Sequence, residues 1–301
     1  MSAPFIFEEV EAKVGLDNHF AGVGLATTSR PRTLTFLDQA RYALDIEKNA
    51  NIVGVITTDV LAQILPKRLE ILLAEDPRHA FYSLHNRLVA LSSESLPVTR
   101  VHPSAIVHPT CYIAPRGVTI GAEVFIEPHV TILEGVEIGK GSVVRSGARI
   151  GVEGFEHKRT TRGLISVRHD GRVEIAEDVE IGPNNTVAKG LMGRDTRIGR
   201  QTKLDALVHI AHCVHVGARC FIPASAMIAG SVTIGDDVWI GPNASISSQI
   251  DIGDGAFVTL GSVVTRDVPS NQRVTGNFAI PHDRHMQILR QQLRKQGQSD
   301  E

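Results

Sequence analysis

The sequence predicts a mostly β protein whose larger part is a parallel β-helix. Three features lead there: branched aliphatics recur every six positions, turn-forming residues follow them, and aromatic residues are only 5% of the chain. Ile198, Leu204, Ile210, Val216, Ile222, Ile228, Ile234, Ile240, Ile246, Ile252, Val258 and Val264 form one unbroken series. An earlier series runs Ile120, Ile126, Ile132, Ile138, Val144, Ile150, and a short one Ile175, Ile181, Val187. A period of six is neither the 3.6 of a helix nor the 2 of a plain strand. It is the hexapeptide β-helix repeat, in which three short strands close one triangular coil of about 18 residues. A single coil cannot bury its inner face, so coils stack and pair their backbones vertically.

The elements follow in order. Residues 1–100 lack the hexad and read as an α/β domain. Within it "ANIVGVITT" and "RLEILLAED" are apolar runs of strand length. "DPRHAFYSLHNRLVAL" starts a helix with Asp76 as its cap and Pro77 at the first helical position. Residues 101–280 hold the repeat, with two interruptions. The segment at about 152–172, "VEGFEHKRTTRGLISVRHDGR", puts charges where core residues would sit, which predicts an extruded loop. "VAKGLMGRD" falls one residue short of two hexads and predicts a local distortion. In the last part, residues 281–301, "DRHMQILRQQLRKQ" places Met286, Leu289 and Leu293 on one face of an amphipathic helix that needs a partner.

Bulk composition excludes several classes. A formal charge of -2 gives no global attraction to nucleic acid. Three cysteines without a CxxC spacing argue against a disulfide framework or zinc knuckle and fit a reducing cytoplasm. No apolar run reaches the ~18 residues of a transmembrane helix. The opening "MSAPFIFEEVEAKVG" is too acidic for a secretory signal.

"DALVHIAHCVHVG" carries His209, His212 and His215 at a spacing of three. With Ile210 pointing inward, His212 falls on a corner, while His209 and His215 fall on adjacent faces and point apart. One subunit therefore cannot gather all three around a metal, and no metal site is expected. An imidazole near neutral pKa can instead act alone as a general base. One coil above His212 stands Gly230, whose bare backbone lets its N–H approach a ligand closely.

With those strings, "TLTFLDQARY", "SGARIGVEGFEH" and "MIAGSVTIG" give the chain a resemblance to the UDP-3-O-(3-hydroxyacyl)glucosamine N-acyltransferases of lipid A synthesis, within the hexapeptide-repeat acyltransferases. The resemblance implies a left-handed β-helix, a homotrimer and a cytoplasmic enzyme. It implies His212 as the base, Gly230 as oxyanion donor and Asp205 as a carboxylate that orients the imidazole. It implies Phe36, Gln39 and Tyr42 as uridine contacts, although the family usually has asparagine where Gln39 stands. No cofactor is implied, because the acyl thioester brings its own phosphopantetheine on acyl carrier protein. The chain departs from the family at the "IDRGA" string, replaced by "VAKGLMGRD", and at a substrate-site histidine, where Gln249 stands. These departures keep open an enzyme that acylates another nucleotide-linked amino sugar from acyl-CoA for surface polysaccharide. A metal-dependent carbonic anhydrase and a non-catalytic β-helix are the readings from other classes. The basic residues Arg284, Arg290, Arg294 and Lys295 of the last helix suit an acidic carrier protein.

Overall fold

Burial of the sixth-position aliphatics organises the long part of the chain into three parallel sheets of eight, eight and nine strands. The computed structural model describes residues 7–15, 18–93, 96–276, 279 and 281–296. Ile210 pairs in register with Ile228, Ile228 with Ile246, and Ile246 with Val264, so each coil lies 18 residues above the last. These residues fill a single column together with Val208, Val214, Ala226, Val232 and Ala244, all but excluded from solvent. The result is the parallel β-helix expected from the hexad, left-handed as the resemblance implies.

The corners repeat as regularly as the core. Leu207, Cys213, Arg219, Ser225 and Ser231 have φ between 57° and 61°. A left-handed conformation costs a non-glycine residue about 1–2 kcal/mol, and corner-to-corner hydrogen bonds offset it. Ser225 N donates to Ala206 O and Ser231 N to His212 O, at 3.0 and 2.9 Å.

Residues before the helix form a parallel sheet in which β1 (Gly22–Val23), β2 (Thr33–Leu37), β3 (Ile52–Thr57) and β4 (Glu70–Leu73) lie in that order. The helices are α1 (Phe7–Glu11), α2 (Ala43–Lys48), α3 (Asp59–Ala62) and α4 (Pro77–Ser93). Asp76 caps α4, its Oδ1 accepting from His79 N at 2.9 Å. The strands read from "ANIVGVITT" and "RLEILLAED" are β3 and β4. "TLTFL" is a strand as well, and Phe36 sits on it as part of β2.

Both interruptions are insertions in the coil. Ile150 pairs with Val187 and Val187 with Ile210, so 19 and then five extra residues separate partners that otherwise lie 18 apart. The longer insertion departs from an extruded loop. Its strands His157–Thr160 and Gly163–Ser166 form an antiparallel hairpin that lies against α4. Asp76 Oδ2 accepts from Thr161 N and Oγ1, at 2.7 and 2.6 Å. Asn86 donates to Ser166 O and accepts from Arg168 N, both at 2.8 Å. Val167 from the long insertion, Leu191 and Met192 from the short one, and Cys213 from the coil are buried in one cluster with Phe20, Leu34 and Phe81. Apolar burial thus continues from the N-terminal sheet into the β-helix at the insertions.

The terminal helix spans His282–Gln296. Met286 is half-buried and Leu289 exposed, while the side chains of Leu293, Arg294 and Lys295 lie outside the described residues. Among the described residues no helix is long and apolar enough to cross a membrane.

Asp76 joins the cap to the hairpin. Burial pushes its carboxyl up, but hydrogen bonds from Thr161 and His79 outweigh this and hold it below the usual carboxylate value of 3.8. A depressed folded-state pKa means that this stability is present above the unfolded value and is lost as pH falls through the folded one. Asp76→Ala is expected to lower unfolding free energy by about 1–3 kcal/mol. It should also speed proteolytic cleavage between residues 157 and 166. Denaturant melts at neutral and acid pH check this: the difference between variant and wild type should shrink in acid.

Candidate active site

His212 occupies a corner between the strands His209–Ile210 and His215–Val216. Its ring is held between two glycines. A Cβ on Gly230, one coil above, would lie 2.6 Å from Cε1 and 2.7 Å from Nε2 of His212. A Cβ on Gly154, from the long insertion, would lie 3.1 Å from His212 Cδ2 and 2.7 Å from Nε2 of His169. Both distances to ring nitrogens are shorter than real Cβ contacts, so only glycine admits the imidazoles here. Among the described residues the Gly230 N–H donates to no backbone carbonyl.

The insertion supplies the charges around this ring. Glu156 Oε2 stands 3.6 Å from His212 Nε2, too long for a hydrogen bond but close enough for electrostatic attraction. Lys158 pairs with the same carboxylate. The His169 ring packs edge-on against His212 with centroids 5.5 Å apart. Its Nδ1 lies 2.9 Å from Glu153 Oε2, which also accepts from His169 N at 3.0 Å. Burial raises the Glu153 carboxyl, but the His169 hydrogen bond and the Lys189 charge outweigh it and leave it below 4.5. His212 Nδ1 and His169 Nε2 are buried without a hydrogen-bond partner among the described residues.

Burial is the main influence on His212 and pushes its pKa down, Glu156 pulls it up, and the charges of His169, Arg194 and Lys158 push it down again. The net position is below the ordinary 6.5. The imidazole is therefore mostly neutral at pH 7 and able to accept a proton.

The remaining predicted residues divide. His209 and His215 lie on different sheets, the latter with Nε2 3.2 Å from Asp195 O. His212 follows a strand of an eight-stranded sheet, whereas Asp205 follows a strand of the third, nine-stranded one. Its Oδ1 accepts from Ala206 N at 2.7 Å, and it lines a groove with Phe221 and Trp239 on the third sheet. Glu156 takes the place beside the imidazole, because the insertion folds back over the corner. Gln249 is exposed on the next corner, its N donating to Gly230 O at 3.1 Å. Phe36 is half-buried against Phe81 and Tyr82, with ring centroids 4.7 and 5.6 Å away. Tyr42 is exposed with the Arg41 guanidinium over its ring, and Gln39 precedes the short 3-10 turn 40–42 with a side chain that makes no cap. Tyr82 links the two regions, because Lys158 lies 5.6 Å from its ring. Sequence reasoning missed Glu153, Glu156, Lys158, His169 and Arg194. Their one signal was charge inside segments that break the period.

Comparisons with known proteins agree with this architecture. The family described as bacterial transferase hexapeptide (six repeats) matches residues 117–151, 195–230 and 231–266, and the hexapeptide repeat of succinyl-transferase matches 213–248. Curated relatives bear out the resemblance seen in the sequence. A UDP-3-O-acylglucosamine N-acyltransferase of Azorhizobium caulinodans is 34% identical over 64% of this chain and 62% of its own length. One from Pseudomonas putida is 53% identical over 52% of this chain and 44% of its own. The chain thus matches less than two thirds of the length of either relative. Among solved structures, a Francisella novicida UDP-N-acetylglucosamine acyltransferase aligns with 60% of this chain and 65% of its own, at 24% identity and a TM-score of 0.49.

A titration of His212 followed by NMR tests the electrostatics. The wild-type ring is expected to titrate below 6.5, and Glu156→Gln to move it lower still, since Glu156 is the influence that raises it. An upward move on Glu156→Gln would contradict the assignment of that carboxylate.

Proposed function

We propose that the protein is an N-acyltransferase that moves a 3-hydroxyacyl group from an acyl carrier protein thioester to the 2-amine of a UDP-linked amino sugar. The observation that carries this reading is the contact between a half-buried, neutral His212 and Gly230, beside a carboxylate able to stabilise the imidazolium. The curated relatives' names supply the substrate class. His212 Nε2 takes a proton as the amine nitrogen attacks the thioester carbonyl. The tetrahedral oxyanion accepts a hydrogen bond from the Gly230 N–H. The C–S bond then breaks, and the proton on His212 passes to the departing thiolate. The products are the amide and the free phosphopantetheine thiol, with no cofactor and no covalent enzyme intermediate. Phe36 and Tyr42 would offer ring surfaces to uracil and Gln39 an amide to its edge. Gln249 stands on the His212 corner one coil above Gly230, whereas Asp205 follows a strand of another sheet and would reach the reaction centre only from another subunit of a homotrimer.

His212→Ala is expected to lower turnover at least about a hundredfold with the oligomer intact, in line with loss of a general base. His209→Ala and His215→Ala should cost far less. Equal damage from His215→Ala would defeat the single-base assignment. Steady-state rates with the UDP-amino sugar and 3-hydroxyacyl carrier protein decide it.

The exposed Arg284 and Arg290 of the terminal helix bear on the donor. Their reversal to glutamate is expected to slow carrier-dependent acylation severalfold and leave a short acyl-CoA unaffected, with added salt mimicking the change. Unchanged carrier rates, together with acetyl-CoA as the better donor, would favour the surface-polysaccharide enzyme instead.

A further inference from the structure

A small cleft of about 80 Å³ opens where the short insertion meets the turn after β1, lined by Thr27, Thr28, Ser29, Arg30, Gly193 and Arg194. The half-buried Arg30 guanidinium is seated there by two glycines. A Cβ on Gly22 would lie 2.3 Å from Arg30 Nη1, and one on Gly193 the same distance from Nη2. Arg194 follows on the insertion, its Nη1 donating to Ser231 Oγ at 3.1 Å. Among the described residues neither guanidinium pairs with a carboxylate. The neighbouring acid, Asp170, accepts from Met192 N and pairs with neither arginine. Two guanidinium groups without counter-charge, ringed by three hydroxyl side chains, form a site for a doubly charged oxyanion.

We infer that this cleft holds the diphosphate of the nucleotide sugar, an inference that rests on the proposed acceptor. The distance along the substrate selects this source over the donor. In a nucleotide 2-amino sugar the diphosphate is carried on the carbon next to the amine-bearing one. It must therefore lie beside the catalytic base. Arg194 meets that requirement through Ser231, the residue after Gly230, whose N donates to His212 O at 2.9 Å. The phosphate of a pantetheine thioester is separated from the reacting carbonyl by the whole pantetheine arm. Arg194 also pushes the His212 pKa down, and a diphosphate bound to Arg194 would relieve that push, so acceptor binding would strengthen the base.

Calorimetric titration of the full chain with UDP, uridine, inorganic pyrophosphate and coenzyme A tests this. Wild-type protein is expected to bind UDP and pyrophosphate. Arg30→Gln/Arg194→Gln should weaken both at least about tenfold and leave uridine binding unchanged. Arg194→Gln alone, an exposed change that spares the packed Arg30, should weaken UDP at least about threefold with an unchanged melting temperature. Undiminished UDP affinity in both variants overturns the site. Loss of coenzyme A with UDP retained assigns the cleft to the donor and overturns the inference. If pyrophosphate binds through the arginines while UDP and uridine do not bind at all, the diphosphate assignment falls together with the nucleotide-sugar reading. Failure of acyl transfer with UDP binding intact touches the proposed reaction alone.

Discussion

Everything in this molecule is referred to one constraint, the stacking of inward aliphatics at intervals of 18 residues. Each coil buries its branched side chains only against the coils above and below, so a slip of one residue would turn every inward position outward. The register is therefore rigid, and it fixes which outward residues touch. His212 meets Gly230 because Ile210 must meet Ile228. This pair needs no loop to bring it together. Its separation follows from hydrophobic packing two residues away.

The insertions act in the opposite sense. They are released from the repeat, so their charges need not face water individually. Glu153, Glu156 and His169 instead return over the His212 corner and shield it in part from solvent. The hairpin could not hold that position alone. Asp76 and Asn86 of the N-terminal unit fix its backbone, and Val167 enters the apolar cluster under α4. Positioning of the site thus depends on both units, one supplying the register and the other clamping the lid of charge.

Burial has a chemical consequence. A histidine on an ordinary β-helix corner would be solvated and titrate near its usual value. Covered by the insertion, His212 is disfavoured as a cation by burial and by Arg194 and Lys158, while Glu156 partly restores it. The balance leaves a neutral base with a carboxylate at hand when it becomes charged. Moving His212 to another corner of the regular coil would lose both this balance and the glycine above it, since the equivalent corners carry Ala224, Asp236, Pro242 or Ser248.

The sequence by itself determined the β-helix, its coil length, the cap of α4 and the contact of residue 212 with residue 230. These follow from local periodicity, which hydrophobic burial converts directly into register. Glu156 beside His212, the removal of Asp205 to another face and the seating of Arg30 between Gly22 and Gly193 were decided only by the tertiary structure. Those contacts join segments with no common period, and Glu156 and Gly193 lie tens of residues or more from their partners His212 and Arg30. What sets them is the docking of two insertions on the N-terminal unit, through hydrogen bonds and packing that no pattern along the chain records.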